Sequence, residues 1–150
     1  MDSGKEVMPT MLAQLITSFI ATAGFGIIFN APRRSLLQCG VAGMLGWIVY
    51  VMLHKHIDPV GATLMATFIV GGISQVFARI YKTPVIIFSV AGVIPLVPGG
   101  LAYNAMRSFV ENHYTAATEL AAQASMISGS IALGLVLSEV FNQMIRRAAR

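Results

Sequence analysis

Five stretches of this chain contain no Asp, Glu, Lys or Arg, and each is long enough to cross a lipid bilayer as a helix. They run from Val7 to Pro32, Ser35 to His54, Pro59 to Ala78, Thr83 to Met106 and Leu120 to Ser138, and measure 19 to 26 residues between those endpoints. A hydrocarbon core about 30 Å thick needs roughly 20 apolar residues of helix, at about 1.5 Å of rise each. Barrel strands would alternate in segments of about 10 residues, whereas these runs are continuous. The composition agrees, since 56% of the 150 residues are hydrophobic and only 11% charged, against about 25% charged in an ordinary globular chain. The expected fold is an all-α polytopic membrane protein with five transmembrane helices, forming one domain over residues 1–150.

Charge and cysteine usage narrow the functions. The net charge of +4 sits in short clusters between apolar runs and forms no basic surface, so no nucleic-acid partner is expected. Cys39 is the single cysteine and has no partner for an intramolecular bridge. With five spans the termini lie on opposite sides. One side collects Lys5, Lys55 and Arg107, the other Arg33, Arg34, Arg79, Lys82, Arg146, Arg147 and Arg150. The positive-inside rule then puts the N-terminus outside and the C-terminus in the cytoplasm. Ala21-Thr22-Ala23 resembles a signal cleavage site, but one Lys against two acids makes a poor n-region, so the first span is expected to be retained.

The connections carry recognisable punctuation. Asn30-Ala31-Pro32-Arg33-Arg34 is expected to stop the first helix. Asp58-Pro59 pairs an N-cap with a proline at the first helical position, and Lys82-Thr83-Pro84 is expected to start the fourth span in a similar way.

The fourth span concentrates the chemistry. Pro95, Pro98, Gly99 and Gly100 fall within six residues near its middle. They remove helix hydrogen bonds and favour non-helical dihedrals, so the helix is expected to break from Pro95 to Gly100. Unpaired backbone groups in hydrocarbon cost several kcal/mol each, roughly, unless protein or a hydrated cavity receives them. Secondary transporters use such breaks as substrate sites, with half-helix N-termini aimed at anionic groups. A half-helix starting at Gly99 and Gly100 would offer free N–H groups to a carboxylate, with Tyr103 and Asn104 one turn later. The competing reading is a proline kink that only shapes the bundle.

Other polar residues within the spans admit two readings each. Ser74 and Gln75 either line the same cavity or hydrogen-bond between helices. Glu139 is either a proton-coupling carboxylate or an interfacial contact whose face continues to Gln143 and Arg146. Gly40, Gly43 and Gly46, and Ala124, Ser125, Ser128, Gly129, Ser130 and Gly134, form small-residue packing faces. An enzyme is not expected. Gly72-Ile73-Ser74-Gln75-Val76 lacks the final glycine of a nucleophile elbow, and no histidine lies inside a span to act as base, His54 standing at the outer border of the second. His54, His56, Asp58 and His113 show no second-shell logic for a metal, and no cofactor motif is present.

Pro84-Val85-Ile86-Ile87-Phe88, then Gly92-Val93-Ile94-Pro95-Leu96-Val97-Pro98-Gly99-Gly100 and Tyr103-Asn104-Ala105-Met106, resemble the signature of the threonine/serine exporter family. Phe29 to Arg34 and Gln75 to Arg79 are also similar. The chain most resembles the small separate subunit that corresponds to the C-terminal half of the fused exporters. The resemblance implies a multi-pass protein of the bacterial inner membrane that exports threonine, serine or succinate-like dicarboxylates, driven by the proton gradient. The partly hydrophilic half of the fused exporters has no counterpart in this sequence, so either a larger membrane subunit of the same family is the partner, which is the expectation, or the chain assembles with itself. The alternative is an accessory subunit that stabilises or localises a larger transporter without binding substrate.

Overall fold

The computed structural model describes residues 3–148, with side chains from 11 to 147. Among these the ordered elements are all helical: α1 (Ser3–Ile28), α2 (Leu36–His54), α3 (Pro59–Tyr81), α4 (Val85–Val93), α5 (Gly99–Val110) and α6 (Tyr114–Ala148), with 3-10 turns at Arg33–Ser35 and Ile94–Leu96. Four helices are long and apolar enough to span a membrane, and a bent pair of helical segments supplies a fifth candidate.

Helix ends follow from local chemistry. Three C-termini close through a non-glycine residue in the left-handed region: Asn30 at φ 55°, Lys82 at φ 51° and Asn112 at φ 63°. After each, the next amide reaches back to a last-turn carbonyl: Ala31 to Gly26 at 2.9 Å, Thr83 to Ala78 at 3.2 Å and His113 to Ser108 at 2.8 Å. This satisfies carbonyls that would otherwise be orphaned. Asp58 caps α3, its carboxylate accepting from the Gly61 amide at 3.2 Å. Thr83 does not cap α4. Its hydroxyl bonds back to the Tyr81 carbonyl at 3.0 Å, and Pro84 holds the N-cap position with no side-chain cap bond.

α2, α3 and α4 pack on one another at the centre, α1 lies against α2, and α6 lies along α3. Phe88 of α4 is fully buried and meets Phe77 of α3 edge-on at 5.9 Å, with Cys39, Ala78 and Ala91 completing that cluster. Elsewhere small residues set the distance between helices. A Cβ on Gly71 would come 2.6 Å from Ser138 Oγ, one on Gly92 would come 2.7 Å from Val70 Cγ1, and one on Gly43 would collide with Thr22. Helices in lipid gain from this closeness because tails offer no hydrophobic drive between them. The buried hydroxyls of Thr22, Thr67 and Ser74 bond to carbonyls four residues back, at 2.7, 2.8 and 2.7 Å.

The register of α3 against α6 fixes the path of the fourth span. Thr67 meets Gly134, Gly71 meets Ser138, and Arg79 bonds Asn142, so the two helices run parallel. The chain must therefore return across the bundle between Tyr81 and Tyr114. The α4–α5 unit makes that crossing once, as a bent span and not as a re-entrant loop. α6 is longer than the charge-free run from Leu120 to Ser138, since its 35 residues continue through Glu119 and Glu139. At about 1.5 Å per residue it exceeds a bilayer core about 30 Å thick.

Candidate functional site

The site begins with the break. α4 ends at Val93, a 3-10 turn covers Ile94–Leu96, and α5 starts at Gly99, with the two halves bent by 51°. Pro95 and Pro98 account for the interruption, since neither has an N–H and each ring fixes φ. The Gly99 amide is occupied by the Val97 carbonyl at 2.8 Å and that of Ala102 by the Pro98 carbonyl at 3.0 Å. Gly100 and Leu101 are left as the first-turn amides available to an outside acceptor among the described residues. Both glycines are exposed, and nothing lies within 4 Å of a Cβ built on either.

On the first half of the broken helix, α4 meets α3 and α6 around a pocket of about 330 Å³ lined by Gly71, Gln75, Val85, Ile86, Ser89, Leu135, Val136 and Glu139. Gln75 donates from Nε2 to Glu139 Oε2 at 2.8 Å, and Gln143 donates to the other carboxylate oxygen at 3.1 Å. Both Glu139 oxygens are thus held by neutral amides. Arg79, one turn beyond Gln75, is engaged by Asn142. The lining therefore carries one carboxylate and no side-chain cation. Intramembrane carboxylates of this kind mark ion pathways and proton relays.

The structure brings together some of the residues singled out by sequence and separates others. Gln75 and Glu139 meet directly. Ser74 is fully buried and its hydroxyl is bonded to the Val70 carbonyl, outside the pocket lining. Tyr103 and Asn104 are exposed on α5, Tyr103 by 68%, and neither lines the Gln75 pocket. The bend explains this, because α5 leaves the central helices and lies against α6. Pro95 lines a different pocket, shared with α1 and α2. Ser89 and Asn142 were not legible as partners. An isolated serine in an apolar run gives no periodic signal, and Asn142 lies beyond the charge-free stretch.

The sequence matches the family described as "Threonine/Serine exporter, ThrE" over residues 14–141. A relative described as an uncharacterized protein of Haemophilus influenzae is 30% identical over 139 residues, covering 87% of this chain and 47% of that protein. The chain thus spans about half the length of the relative it matches. No solved structure matches it. The matched region contains the bent span, the Gln75–Glu139 pair and most of the parallel α3–α6 packing, and on that match the chain belongs to the threonine/serine exporter family, whose members are membrane transporters.

Proposed function

We propose that the chain is a subunit of a secondary-active exporter that moves small carboxylate solutes, threonine and serine or succinate-like dicarboxylates, out of a bacterial cell across the inner membrane. The observation that carries this reading is the Gln75–Glu139 pair, set in a pocket whose third wall is the first half of a broken span. A carboxylate exchanging its proton there changes what it offers Gln75 from acceptor to donor. That change would act on the contact between α3, α6 and the segment leading into the break. Proton-driven export through Glu139 follows from this, with the solute's carboxylate approaching the first-turn amides at Gly100 and Leu101. The N-terminus faces outward and the C-terminus the cytoplasm, in keeping with the distribution of lysine and arginine.

A larger membrane subunit of the same family is the proposed partner. Large apolar side chains along α6, among them Met126, Leu133, Val136, Phe141 and Met144, are exposed in the single chain, and Gly129 has open space around it. The same exposure favours the second reading, an accessory subunit that holds a transporter together without touching solute.

Inside-out membrane vesicles separate the two. Vesicles from cells making this chain and its partner should accumulate labelled threonine, serine or succinate when their interior is acid. Gly99→Leu, which fills the open space beside the Gly100 and Leu101 amides, should abolish accumulation while the chain still inserts. Normal accumulation by this variant would rule out the role given to the break.

A further inference from the structure

On the other flank of the break, α1, α2 and the 3-10 turn border an open pocket of about 390 Å³, within the roughly 300–1,000 Å³ usual for small-molecule sites. We propose that this pocket binds the carboxylate group of the transported solute, held by the Gln14 amide and the Ser18 hydroxyl. The proposal rests on the exporter reading above and adds to it a second station for the carboxylate, apart from the first-turn amides of Gly100 and Leu101.

Trp47 Nε1 lies 3.3 Å from Gln14 Oε1. An indole N–H can only donate, so the Gln14 amide must turn its oxygen to Trp47, and neither N–H donor of its other end has a protein acceptor among the described residues. Ser18 lies one helical turn further along the same face and lines the same pocket. Its neighbours have used their hydroxyls within the helix, Thr17 on the Ala13 carbonyl at 2.6 Å and Thr22 on the Ser18 carbonyl at 2.7 Å. Ser18, though only 8% exposed, has no protein acceptor for its hydroxyl among the described residues.

Two unspent donors one turn apart match the two oxygens of a carboxylate. The remaining wall suits that role. Pro95 has no N–H of its own, Trp47 and Ile94 supply apolar surface, and the lining has no charged side chain among the described residues. A row of amide and hydroxyl groups facing hydrocarbon would be costly, which requires this face to meet water, solute or protein. Holding the carboxylate with neutral donors leaves no unpaired charge in the membrane when the pocket is empty.

The test is solute uptake into inside-out vesicles containing the chain with its native membrane proteins, measured against concentration for threonine, serine and succinate. Gln14→Leu and Ser18→Ala should each raise the half-saturating concentration about tenfold, as expected for one lost hydrogen bond to a charged group, and leave the maximal rate intact. Trp47→Phe keeps the ring but frees the Gln14 amide. It should raise half-saturation by less, and should add nothing to Gln14→Leu in the double variant, because it acts only through Gln14. Immunoblotting of the membranes checks insertion, and Ser18→Ala decides the matter if Gln14→Leu inserts poorly. Unaltered half-saturation in the inserted variants, with transport by the unaltered chain, would overturn this site alone. If the unaltered chain takes up none of the three solutes, the exporter reading falls and this site falls with it.

Discussion

Gln75 on α3 and Glu139 on α6, 64 positions apart in sequence, are joined by a 2.8 Å hydrogen bond between two parallel helices. The second Glu139 oxygen is held by Gln143 on its own helix. The carboxylate is thus fixed in direction without a cation, next to Ser89 and Val85 of the segment that leads into the break. A proton arriving at Glu139 would turn one of those accepting oxygens into a donor, a local change at the contact between α3 and α6 in a pocket that α4 also lines.

Replacing Glu139 by Gln preserves the size of the group, resembles the protonated acid in offering one acceptor and one donor, and removes its exchangeable proton. Glu139→Gln is expected to insert and fold normally while the stimulation of export by an acid vesicle interior disappears. Uptake compared with and without the gradient checks this. Undiminished stimulation would remove Glu139 from the coupling role.

Gly134 and Gly129, both on α6, sit in opposite environments. A Cβ on Gly134 would collide with Thr67 of α3, whereas one on Gly129 meets nothing within 4 Å. Gly134→Val should therefore destabilise the chain by about 1–3 kcal/mol through overpacking. Gly129→Ala should leave the isolated chain unchanged or slightly more stable, since alanine is the better helix former. Thermal denaturation of the purified chain in detergent, followed by size-exclusion chromatography, distinguishes them.

Asp58 accepts the Gly61 amide at the start of α3, a bond that Asp58→Ala removes. The expected loss is about 1 kcal/mol, typical of an N-cap. The same denaturation assay measures it, and Asp58→Ser should recover most of the difference.

Orientation is open to chemical labelling, because Cys39 is the only cysteine and is fully buried. A membrane-impermeant maleimide added to intact cells should label Ile57→Cys, in the α2–α3 turn, and leave Lys82→Cys, in the α3–α4 turn, unlabelled until the cells are opened. The reverse pattern would invert the proposed topology.

The break was legible because its causes are local. Pro95 and Pro98 lack the amide a helix needs, wherever they sit in the fold. The helical starts at Pro59 and stops near Asn30 were legible for the same reason. The extent of α6 was not, because counting charges treats Glu119 and Glu139 as ends, although a helix carries carboxylates at its borders without interruption. Residues near the break proved harder to place. Tyr103 and Asn104 lie one turn from Gly99 along α5, but the 51° bend decides which face of α5 meets the bundle, and that is a tertiary outcome. Gln75 and Glu139 each stood out as polar groups in apolar runs. Their pairing depends on the parallel register of α3 and α6, which small residues such as Gly71 and Gly134 set by allowing close approach.

The most direct test of the account is uptake of radiolabelled threonine, serine and succinate into inside-out vesicles containing this chain alone, and then this chain with its larger partner, each with and without an acid interior. Concentrative uptake of at least one solute by the pair, dependent on the acid interior and absent with this chain alone, is the result expected of a split proton-driven exporter. A stable purified complex that moves none of the three under any gradient would contradict it.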